Sequence, residues 1–418
     1  MDALHERCAG LDVHQETVVC CLLVGTAGTR CRKEFRTFGT MTADLEALRD
    51  WLKACGVTHV AMESTGVFWK PVYAVLEGHV QIVVGNAQHI RNVPGRKTDI
   101  KDAEWIAQLL RHGLIRASFV PPPPFRELRE LLRFRRAVVQ DATRLRNRMI
   151  RRLEAAGIKL AAVASDVFGV SGRAMLRALI AGAQSPAAMA DLAKRRMRSK
   201  LPALTRALDG RLSDSDRFLL DRDLAGLERL EAELAVLEDR IHERMAPFRE
   251  HQRRLMAIPG VDAVAAATIL AEVGIDMMVF GTAKRVAAWA GVCPGNRESA
   301  GKSKAAAARK GNPHLKAALF TAAAAAVRKK HSYYQAKYYR LKARQGAKRA
   351  LMAIAHKILV AVFYMLNRNE AFRDLGGAYL DHLAAKRVTV RLVERLAALG
   401  YEVELRPRLP PDHVAAQA

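Results

Sequence analysis

RCAGLDVHQETVVCCLLVGTAGTRCRKEFRTF, residues 7–38, is the most informative stretch of the chain for fold class. Its segments RCAGLDV, TVVCCLLV and CRKEFRTF are apolar or alternate in polarity, and polar or glycine-containing turns separate them, so three short strands are predicted. Apolar periodicity then predicts helices over 41–55, 68–77 and 99–113 and buried strands over 57–62 and 79–84. The order βββαβαβα predicts an α/β fold in which helices pack on a mixed sheet.

The net charge of the chain indicates a polyanionic partner. Its 418 residues include 68 Lys and Arg against 42 Asp and Glu, which gives a formal net charge of +26. Such a charge is unusual for a metabolic enzyme and is typical of proteins that bind nucleic acid or an anionic membrane surface. Half of the residues are hydrophobic, which is enough for a sizeable core.

Simple patterns argue against several other classes of protein. No apolar run reaches the roughly 18 residues of a membrane span. Charged residues stand near the N-terminus, where a signal peptide needs an apolar core. The six cysteines form no C-x2-C pair, so neither a zinc ribbon nor a redox motif is indicated. We therefore expect a protein of the reducing cytosol with no membrane partner.

The excess of positive over negative charge lies entirely after residue 115. Residues 1–115 contain 13 basic and 13 acidic side chains, so the remaining 303 residues carry all of the excess. Residues 125–155 hold ten Arg against four acids, and residues 297–349 hold fifteen Lys and Arg against one acid. Solvated faces usually mix signs, so these biased runs predict phosphate contacts. The residues that we expect to bind nucleic acid are Arg144, Arg148, Arg151, Arg297, Lys302, Lys304, Arg309 and Lys310.

A run of four prolines, from Pro121 to Pro124, predicts a stiff boundary after the α/β region. Beyond it the sequence pattern is mostly helical. We divide the chain into an α/β domain, an Arg-rich helical linker with a coiled coil, an all-α domain and a tail, over residues 1–120, 125–250, 251–365 and 366–418.

A heptad pattern within 125–250 predicts a helical seam. Leu220, Leu227, Leu234 and Ile241 recur every seven residues. Two explanations are open, namely an amphipathic helix packed within its own domain and a helix that contacts another subunit. The second explanation predicts at least a dimer.

Residues 254–275, RLMAIPGVDAVAAATILAEVGI, have the pattern of a helix-hairpin-helix. In that motif, amides of the turn bind a phosphate at a helix N-terminus. Asp262 stands where the motif usually has a second glycine, so a plain helical turn is the alternative. Further on, Asn312 and Pro313 predict the start of a helix, which leaves 293–311 as a loop rich in Gly, Ser and Lys.

Four acidic residues stand where an α/β sheet brings strand ends and helix starts together. Asp12 lies within one apolar strand and Glu63 ends another, while Asp99 and Asp102 share one face at a helix start. A carboxylate on an apolar strand is costly to bury unless it pairs or binds a cation. Together the four acids are suited to two Mg²⁺ ions, which assist phosphodiester transfer. Taken singly, each is more often a structural cap or partner.

Five segments of the chain resemble the DEDD-type transposases of bacterial insertion sequences, a family that includes the Piv-like DNA invertases. The similarity covers roughly residues 8–365, and the motifs occur in the order typical of the family. The segments are GLDVHQETV, AMESTGVFWKPV, NVPGRKTDIKDAEWIAQLLRHG, AIPGVDAVAAATILAEVG and CPGNRESAGKSKAAAARKGNPHLKAAL.

The resemblance implies a RuvC-like RNase H fold for the N-terminal domain. By resemblance, Asp12, Glu63, Asp99 and Asp102 are its catalytic acids and hold Mg²⁺ or Mn²⁺. The serine of ESAGK, Ser299, is the implied nucleophile, which joins DNA strands through a covalent phosphoserine at a site that both domains share. The family also implies a structured noncoding guide RNA and a cytoplasmic, nucleoid-associated location in a bacterium. Strand exchange between two DNA sites favours a homotetramer.

The residues alone leave other interpretations open. A RuvC-like nuclease or junction resolvase would use the acids without a serine step, whereas a nonenzymatic nucleic-acid-binding protein would not need all four. The tyrosines at 333, 334, 338 and 339 offer a rival nucleophile, although two doublets on a basic helix more often pack or stack on nucleic acid. His14 lies two residues after Asp12 and could contact a metal site, but a hydrogen-bonded strand histidine is more common.

Overall fold

The chain folds into two compact units in a computed structural model, Met1–Val120 and Pro121–Ala418. The residues described are 3–26, 31–64, 66–91, 93, 102–294, 298–299, 302–303, 311–383 and 385–405. Of residues 88, 91, 298–299, 302–303 and 386–388 the backbone alone is described. The division between the units lies at the proline run, while the finer boundaries within the second unit stay predictions.

The first unit is built on a five-stranded sheet. Its strands are β1 (Arg7–Val13), β2 (Thr17–Val24), β3 (Arg32–Gly39), β4 (His59–Glu63) and β5 (Gln81–Gly85). They lie in the order β3-β2-β1-β4-β5. The first three strands pair antiparallel, and β4 pairs parallel with both β1 and β5. The predicted mixed sheet is therefore confirmed.

Helices cover both faces of this sheet. They are α1 (Thr42–Ala54), α2 (Trp69–Leu76), α3 (Ala87–Arg91) and α4 (Asp102–Arg111). Leucines of α1 and apolar residues of α2 pack on one face, and α4 packs on the other. The sequence did not predict α3, because a helix of five residues is too short to have a clear apolar period.

In the residues that the structure describes, the second unit is helical apart from one small hairpin. Its long helices are α5 (Pro123–Ala155) and α10 (Asp214–Arg244), and four shorter ones lie between them, namely α6 (Leu160–Val163), α7 (Val170–Ala181), α8 (Pro186–Ala190) and α9 (Leu201–Ala207). The later elements are α11 (Arg249–Met256), α12 (Ala263–Val273), α13 (Ala283–Ala290), the hairpin β6 (Glu298–Ser299) and β7 (Lys302–Ser303), α14 (Pro313–Ala326), α15 (Tyr333–Gln345), α16 (Ala347–Arg368), α17 (Tyr379–Leu383) and α18 (Ala385–Ala398). Two 3₁₀ helices span Arg195–Lys200 and Ala246–Phe248.

Helices α5 and α10 lie side by side and run antiparallel. Near the start of α5, Arg135 Nε donates to Glu238 Oε1 at 3.0 Å. Near its end, Arg152 Nη1 donates to Asp216 Oδ1 at 2.9 Å. Early residues of α5 thus meet late residues of α10, so the two helices form a long pair laced by ion pairs.

The leucine seam of α10 is used largely inside this pair. Leu220 and Leu227 are fully buried in a core that also includes residues of α5 and of α6–α9. Leu234 is half-buried and Val236 is exposed. This packing favours the explanation of an amphipathic helix within its own domain, and a contact between subunits stays a prediction.

One described helix, α16, is long and apolar enough to cross a membrane by length and composition, with 22 residues and a mean hydropathy of 1.7. The expectation that no apolar run reaches this length is therefore wrong. Nearly half of the apolar window, 44%, is buried inside the protein, where α16 packs against α13, α14 and α15. Because buried core helices have the same composition, the helix is weak evidence for a membrane.

Candidate active site and nucleic-acid interface

Two of the predicted acids lie side by side on neighbouring strands. In the parallel pair of β1 and β4, Leu11 is the partner of Met62, so Asp12 and Glu63 stand opposite one another at the next position. Side chains alternate along a strand, and Cys8 and Ala61 face α4, so Asp12 and Glu63 also lie on the α4 face of the sheet. Both residues are half-buried. The register thus brings these two acids together at the ends of β1 and β4, while their role in a metal site stays a prediction.

Helix α4 brings a third acid toward the same edge. It runs antiparallel to β1, because Cys8 Sγ donates to Ala107 O at 3.8 Å and the backbone N–H of Leu4 donates to Arg111 O at 2.8 Å. The N-terminus of α4 therefore lies toward the Asp12 end of β1, and the exposed Asp102 is its first residue.

Gly10 allows this close approach of α4 to β1. A Cβ atom at residue 10 would overlap the backbone oxygen of Ala103 and the backbone nitrogen of Ala107. Helix α4 and strand β1 thus pack with their backbones in direct contact. In sequence, Ala103 is one residue from Asp102, and Gly10 is two residues from Asp12. The strand glycine has a positional role that the sequence alone did not reveal.

The acidic set is incomplete in the part of the chain that is described. Asp99 lies outside the described residues. Among the described residues, no group of three or more His, Cys, Asp or Glu is close enough to hold a metal ion. Among the described residues, His14 is a close polar partner of Asp12, with its Nε2 3.1 Å from Asp12 Oδ2. His14 thus lies just after the end of β1, and not within the strand as the sequence had favoured, but it does form the expected kind of hydrogen bond.

The predicted nucleophile lies in a short hairpin. Ser299 pairs with Lys302 and Glu298 with Ser303 across β6 and β7, and only the backbone of these residues is described. Arg297, Lys304, Arg309 and Lys310 are outside the described residues. Nothing in the structure therefore tests the contacts of the Ser299 hydroxyl or of these cations.

The two ends of the 293–311 loop meet at one place. Its first end follows α13, which ends at Gly291 in a left-handed cap. At the second end, a Cβ on Gly311 would overlap the backbone of Ala290 and Gly291. The backbone N–H of Asn312 donates to Trp289 O at 3.3 Å. The loop that carries Ser299 thus starts and finishes against the C-terminus of α13.

A buried ionic cluster that sequence reasoning missed lies directly beside this loop base. Glu272 of α12 is 1% exposed and accepts two bonds from Arg133, each of 2.8 Å. Arg129 Nε lies 3.1 Å from Glu272 Oε2 and also donates to Ala271 O at 2.9 Å. Asn312 Nδ2 donates to Glu272 Oε2 at 2.6 Å. The cluster therefore joins α5, α12 and the end of the serine loop.

Electrostatics keep Glu272 ionised. Burial by itself raises the pKa of this carboxyl, but the bonds from Arg133 and the charge of Arg129 outweigh it, and the pKa is lowered overall. Burial also lowers the pKa of the neighbouring Arg129 guanidinium, to about 10. A single acid within the apolar helix AVAAATILAEV was the sequence signal for this cluster.

Most arginines of α5 are neutralised by acids of the protein. Arg148 Nε donates to Asp223 Oδ2 at 2.9 Å, and Asp223 is 6% exposed. Arg144 pairs with Asp141 on its own helix. Arg151 is exposed and makes no ion pair with any described residue. Acids distant in sequence thus bind much of the Arg run of α5, while the assignment of Arg144, Arg148 and Arg151 to nucleic acid stays a prediction.

The basic run after residue 311 is exposed to a greater degree. Burial and the charges of Lys357, Arg340 and Arg344 lower the pKa of Lys337, so these four cations lie close together. The exposed cations Arg328, Lys330, Lys342, Arg344, Lys348 and Arg349 have no ion-pair partner among the described residues. We call these six residues, of which two lie on α15 and four lie just before or after it, the α15 basic surface. The repulsion that adds to burial in lowering the pKa of Lys337 is the kind of interaction that a polyanion relieves.

The two tyrosine doublets differ in burial. Tyr334 is 3% exposed, and its ring stacks on Phe372 at 6.0 Å. Burial raises the pKa of Tyr334, which disfavours the phenolate that would attack phosphorus. Lys342 Nζ lies 5.9 Å from the ring centroid of Tyr339, which is exposed. The first doublet therefore packs, and the second belongs to the surface.

The α11–α12 pair forms the expected helix, turn and helix, but its geometry is poor for a phosphate. Asp262 caps α12, and its Oδ1 accepts from the backbone N–H of Ala265 at 2.7 Å. A Cβ on Gly260 would overlap the backbone of Ala322 in α14, so the turn packs against a helix. The phosphate contact of a helix-hairpin-helix stays a prediction that a carboxylate at this N-terminus opposes.

Comparison with known proteins identifies the class. Residues 9–157 match a family model of DEDD transposases of the IS110 type, described as a transposase, and residues 252–340 match the model described as transposase IS116/IS110/IS902 family. This chain, with its mixed sheet and its cationic helical unit, is thus a DNA transposase of an insertion sequence. The chain is a member of the IS110 family, whose DEDD class depends in general on divalent metal ions.

Two relatives illustrate the breadth of the similarity. The chain is 27% identical over 337 residues to the uncharacterized 42 kDa protein of insertion element IS900 from Mycobacterium paratuberculosis, covering 70% of this chain and 80% of that protein. It is 26% identical over 291 residues to the transposase of insertion sequence element IS1111A from Coxiella burnetii, covering 68% of this chain and 71% of the relative.

Proposed function

We propose that this transposase cuts and rejoins DNA with Ser299 as nucleophile and with Mg²⁺ or Mn²⁺ held by Asp12, Glu63, Asp99 and Asp102. The observation that carries the proposal is the register of β1 and β4, which sets Asp12 and Glu63 side by side on the face that α4 covers. Two carboxylates from adjacent strands are a suitable start for a divalent cation site, and the start of α4 supplies a third at Asp102.

The residues have separate roles in this mechanism. The acids hold the metal, which when bound stabilises charge on the phosphate oxygens. The Ser299 oxygen attacks phosphorus, the bond from phosphorus to one DNA oxygen breaks, and that oxygen leaves as a hydroxyl after it takes up a proton. A second strand's hydroxyl then attacks the phosphoserine and frees Ser299. One phosphodiester is thereby exchanged for another without an external energy source.

Four further features belong to the proposal. They are a RuvC-like RNase H fold for the sheet domain, a structured noncoding RNA as guide, assembly of a dimer or tetramer on DNA, and a cytoplasmic location. The supporting features are the family membership and the strand order of the sheet. The α15 basic surface and Arg151 supply cations for the nucleic acid.

The serine step is tested by Ser299→Ala. The full-length protein, copurified with its nucleic acid, is incubated with DNA that carries the ends of its insertion sequence. We expect the wild type to form a covalent protein–DNA adduct on denaturing gels and Ser299→Ala to form none. Ser303→Ala, in the partner strand of the same hairpin, is the matched control and should retain the adduct. An adduct of normal yield from Ser299→Ala would contradict the serine role.

The acids are tested by Asp12→Asn and Asp102→Asn. Each should abolish Mg²⁺-dependent strand cleavage while DNA retention in gel shifts stays within about twofold, because phosphate contacts to cations supply most of the affinity. Asp50→Asn changes an exposed acid that Arg49 binds and should cleave normally. Cleavage that is lost with Asp12→Asn but kept with Ser299→Ala would favour the alternative, a metal-dependent nuclease or resolvase.

A further inference from the structure

We propose that Glu272 is a positioning residue for the transposition reaction, which fixes the base of the 293–311 loop to helix α5 through Asn312. The inference rests on the proposed role of Ser299, which this loop carries. Nothing in the family matches assigns a function to Glu272, Arg129, Arg133 or Asn312. Its basis is the contact geometry of the buried cluster.

Asn312 uses its two amide ends for two different tasks. Its Oδ1 accepts from the backbone N–H groups of His314 and Leu315, at 3.0 and 3.1 Å, and so caps α14. Its Nδ2 donates to Glu272 Oε2 at 2.6 Å. The N-terminus of α14, and with it the end of the loop, is therefore placed by a carboxylate that belongs to α12.

Glu272 is in turn held by two arginines of α5. Arg133 binds it with a two-pronged arrangement, and Arg129 contacts both its carboxylate and the carbonyls at the end of α12. Paired N–H donors on a carboxylate define its orientation as well as its energy. Arg136 Nη1 adds a contact of 3.4 Å to Pro313 O. Three successive turns of α5 thus determine where the loop ends.

Burial of the Glu272 carboxylate costs free energy. A side chain that is 1% exposed removes a carboxylate from water, and an apolar residue of similar size would often give equal or greater stability. A buried ionic cluster is better suited to specify one geometry than to add stability. Here the cluster fixes the base of the loop that carries the proposed nucleophile. A displacement of about 1 Å at a reacting group can slow a reaction about 100-fold.

The sharpest variant is Asn312→Ser. Serine still caps α14, since Ser is as good an N-cap as Asn, but its side chain is too short to reach Glu272. We expect single-turnover formation of the covalent adduct to slow at least about tenfold, with DNA affinity and melting temperature close to wild type. Ser185→Asn is the matched control, because it exchanges another exposed capping residue, at the start of α8, that has no contact with Glu272.

Glu272→Gln is the second variant, with Glu231→Gln as its control. Glu231 also binds two arginines, Arg146 and Arg173, but lies on α10. Hydrogen exchange supplies a readout that does not depend on the chemistry. We expect Glu272→Gln and Asn312→Ser to speed amide exchange in the 298–303 hairpin and at 311–315, and Glu231→Gln to leave those amides unchanged.

The outcomes separate this inference from the proposed function. Loss of the adduct in Ser299→Ala together with a slow Asn312→Ser reaction supports both. A normal rate and normal hairpin exchange in Asn312→Ser, with Ser299→Ala inactive, would overturn the positioning role alone. An adduct that forms in Ser299→Ala would overturn the serine role and, with it, the catalytic reason for this cluster.

Discussion

At the scale of single residues, the charge of a side chain matters only together with its partner. Arg148 and Arg151 are three positions apart on α5, yet the first binds the buried Asp223 and the second is exposed without a described ion-pair partner. The sequence treats these arginines alike. Their availability to a phosphate depends on an acid 75 residues away from Arg148.

The pH dependence of stability provides a test of Glu272. Its pKa is lower in the folded state than the ordinary value of 4.5, so its ionised form stabilises the fold above about pH 4.5. This contribution is lost as the pH falls through the lower folded value. Glu272→Gln should lower the free energy of unfolding at pH 7 by about 3 kcal/mol, because two arginines lose a buried partner.

The same variant should lose less of its remaining stability between about pH 4.5 and pH 3 than the wild type loses. Urea unfolding of both proteins at a series of pH values measures the difference. Parallel curves for the two proteins across that range would contradict the ionised state of Glu272.

At the scale of elements, the contact of α4 with β1 positions Asp102 relative to Asp12. Gly10→Ala introduces a Cβ that overlaps the α4 backbone, so the helix must shift. We expect a loss of about 2 kcal/mol or more in stability, typical of overpacking, and a larger fractional loss of cleavage than of DNA binding. Thermal unfolding and a cleavage assay at a temperature where the variant is folded measure both effects.

Gly226→Ala is the control for this prediction. It also adds a methyl group to a glycine, but on α10, where the nearest atom is a flexible side-chain carbon of Leu145 at 3.4 Å. Alanine is the better helix former, so this variant should be as stable as the wild type or slightly more so. A Gly10→Ala protein that is equally stable and active would show that α4 has room to move.

At the scale of the whole molecule, the total of 68 Lys and Arg overstates the cations that are free to bind DNA, because many of them pair with acids of the chain. We expect the slope of binding affinity against salt concentration to depend on the α15 basic surface. Replacing Lys342, Arg344, Lys348 and Arg349 with Ala should reduce that slope by about 0.9 for each phosphate contact that is lost. Titrations of DNA at several salt concentrations measure the slope.

A second quadruple variant controls for net charge. Arg222, Arg240, Arg253 and Arg254 are paired with nearby acids, and replacing them with Ala removes the same number of positive charges. The slope should then change little, because their charges are already neutralised. Equal effects of the two variants would assign the salt dependence to total charge and not to a defined surface.

Much of the fold could be predicted, because the relevant patterns are local. The three strands of residues 7–38, the helix with Leu45, Leu48 and Leu52, and the buried strand that ends at Glu63 all follow from apolar period and turn residues. The short α3 and the helices α7–α9 could not be placed in the same way. Helix α3 has only five residues, and the segment of α7–α9 is rich in Ala and Arg without a clear period, so tertiary packing decides their structure.

The candidate site, too, could be predicted from the sequence only where local patterns decide it. Residues adjacent in sequence are enough to predict that Asp12 and Glu63 are strand acids and that Asn312 begins a helix. Three other features depend on which distant segments pack together. They are the register that makes Asp12 and Glu63 neighbours, the ion pairs of α10 with α5, and the contact of Glu272 with Arg133, which is 139 positions away. Periodicity records which face of an element is apolar, but not which partner covers it, and the environment of a charge is a property of that partner.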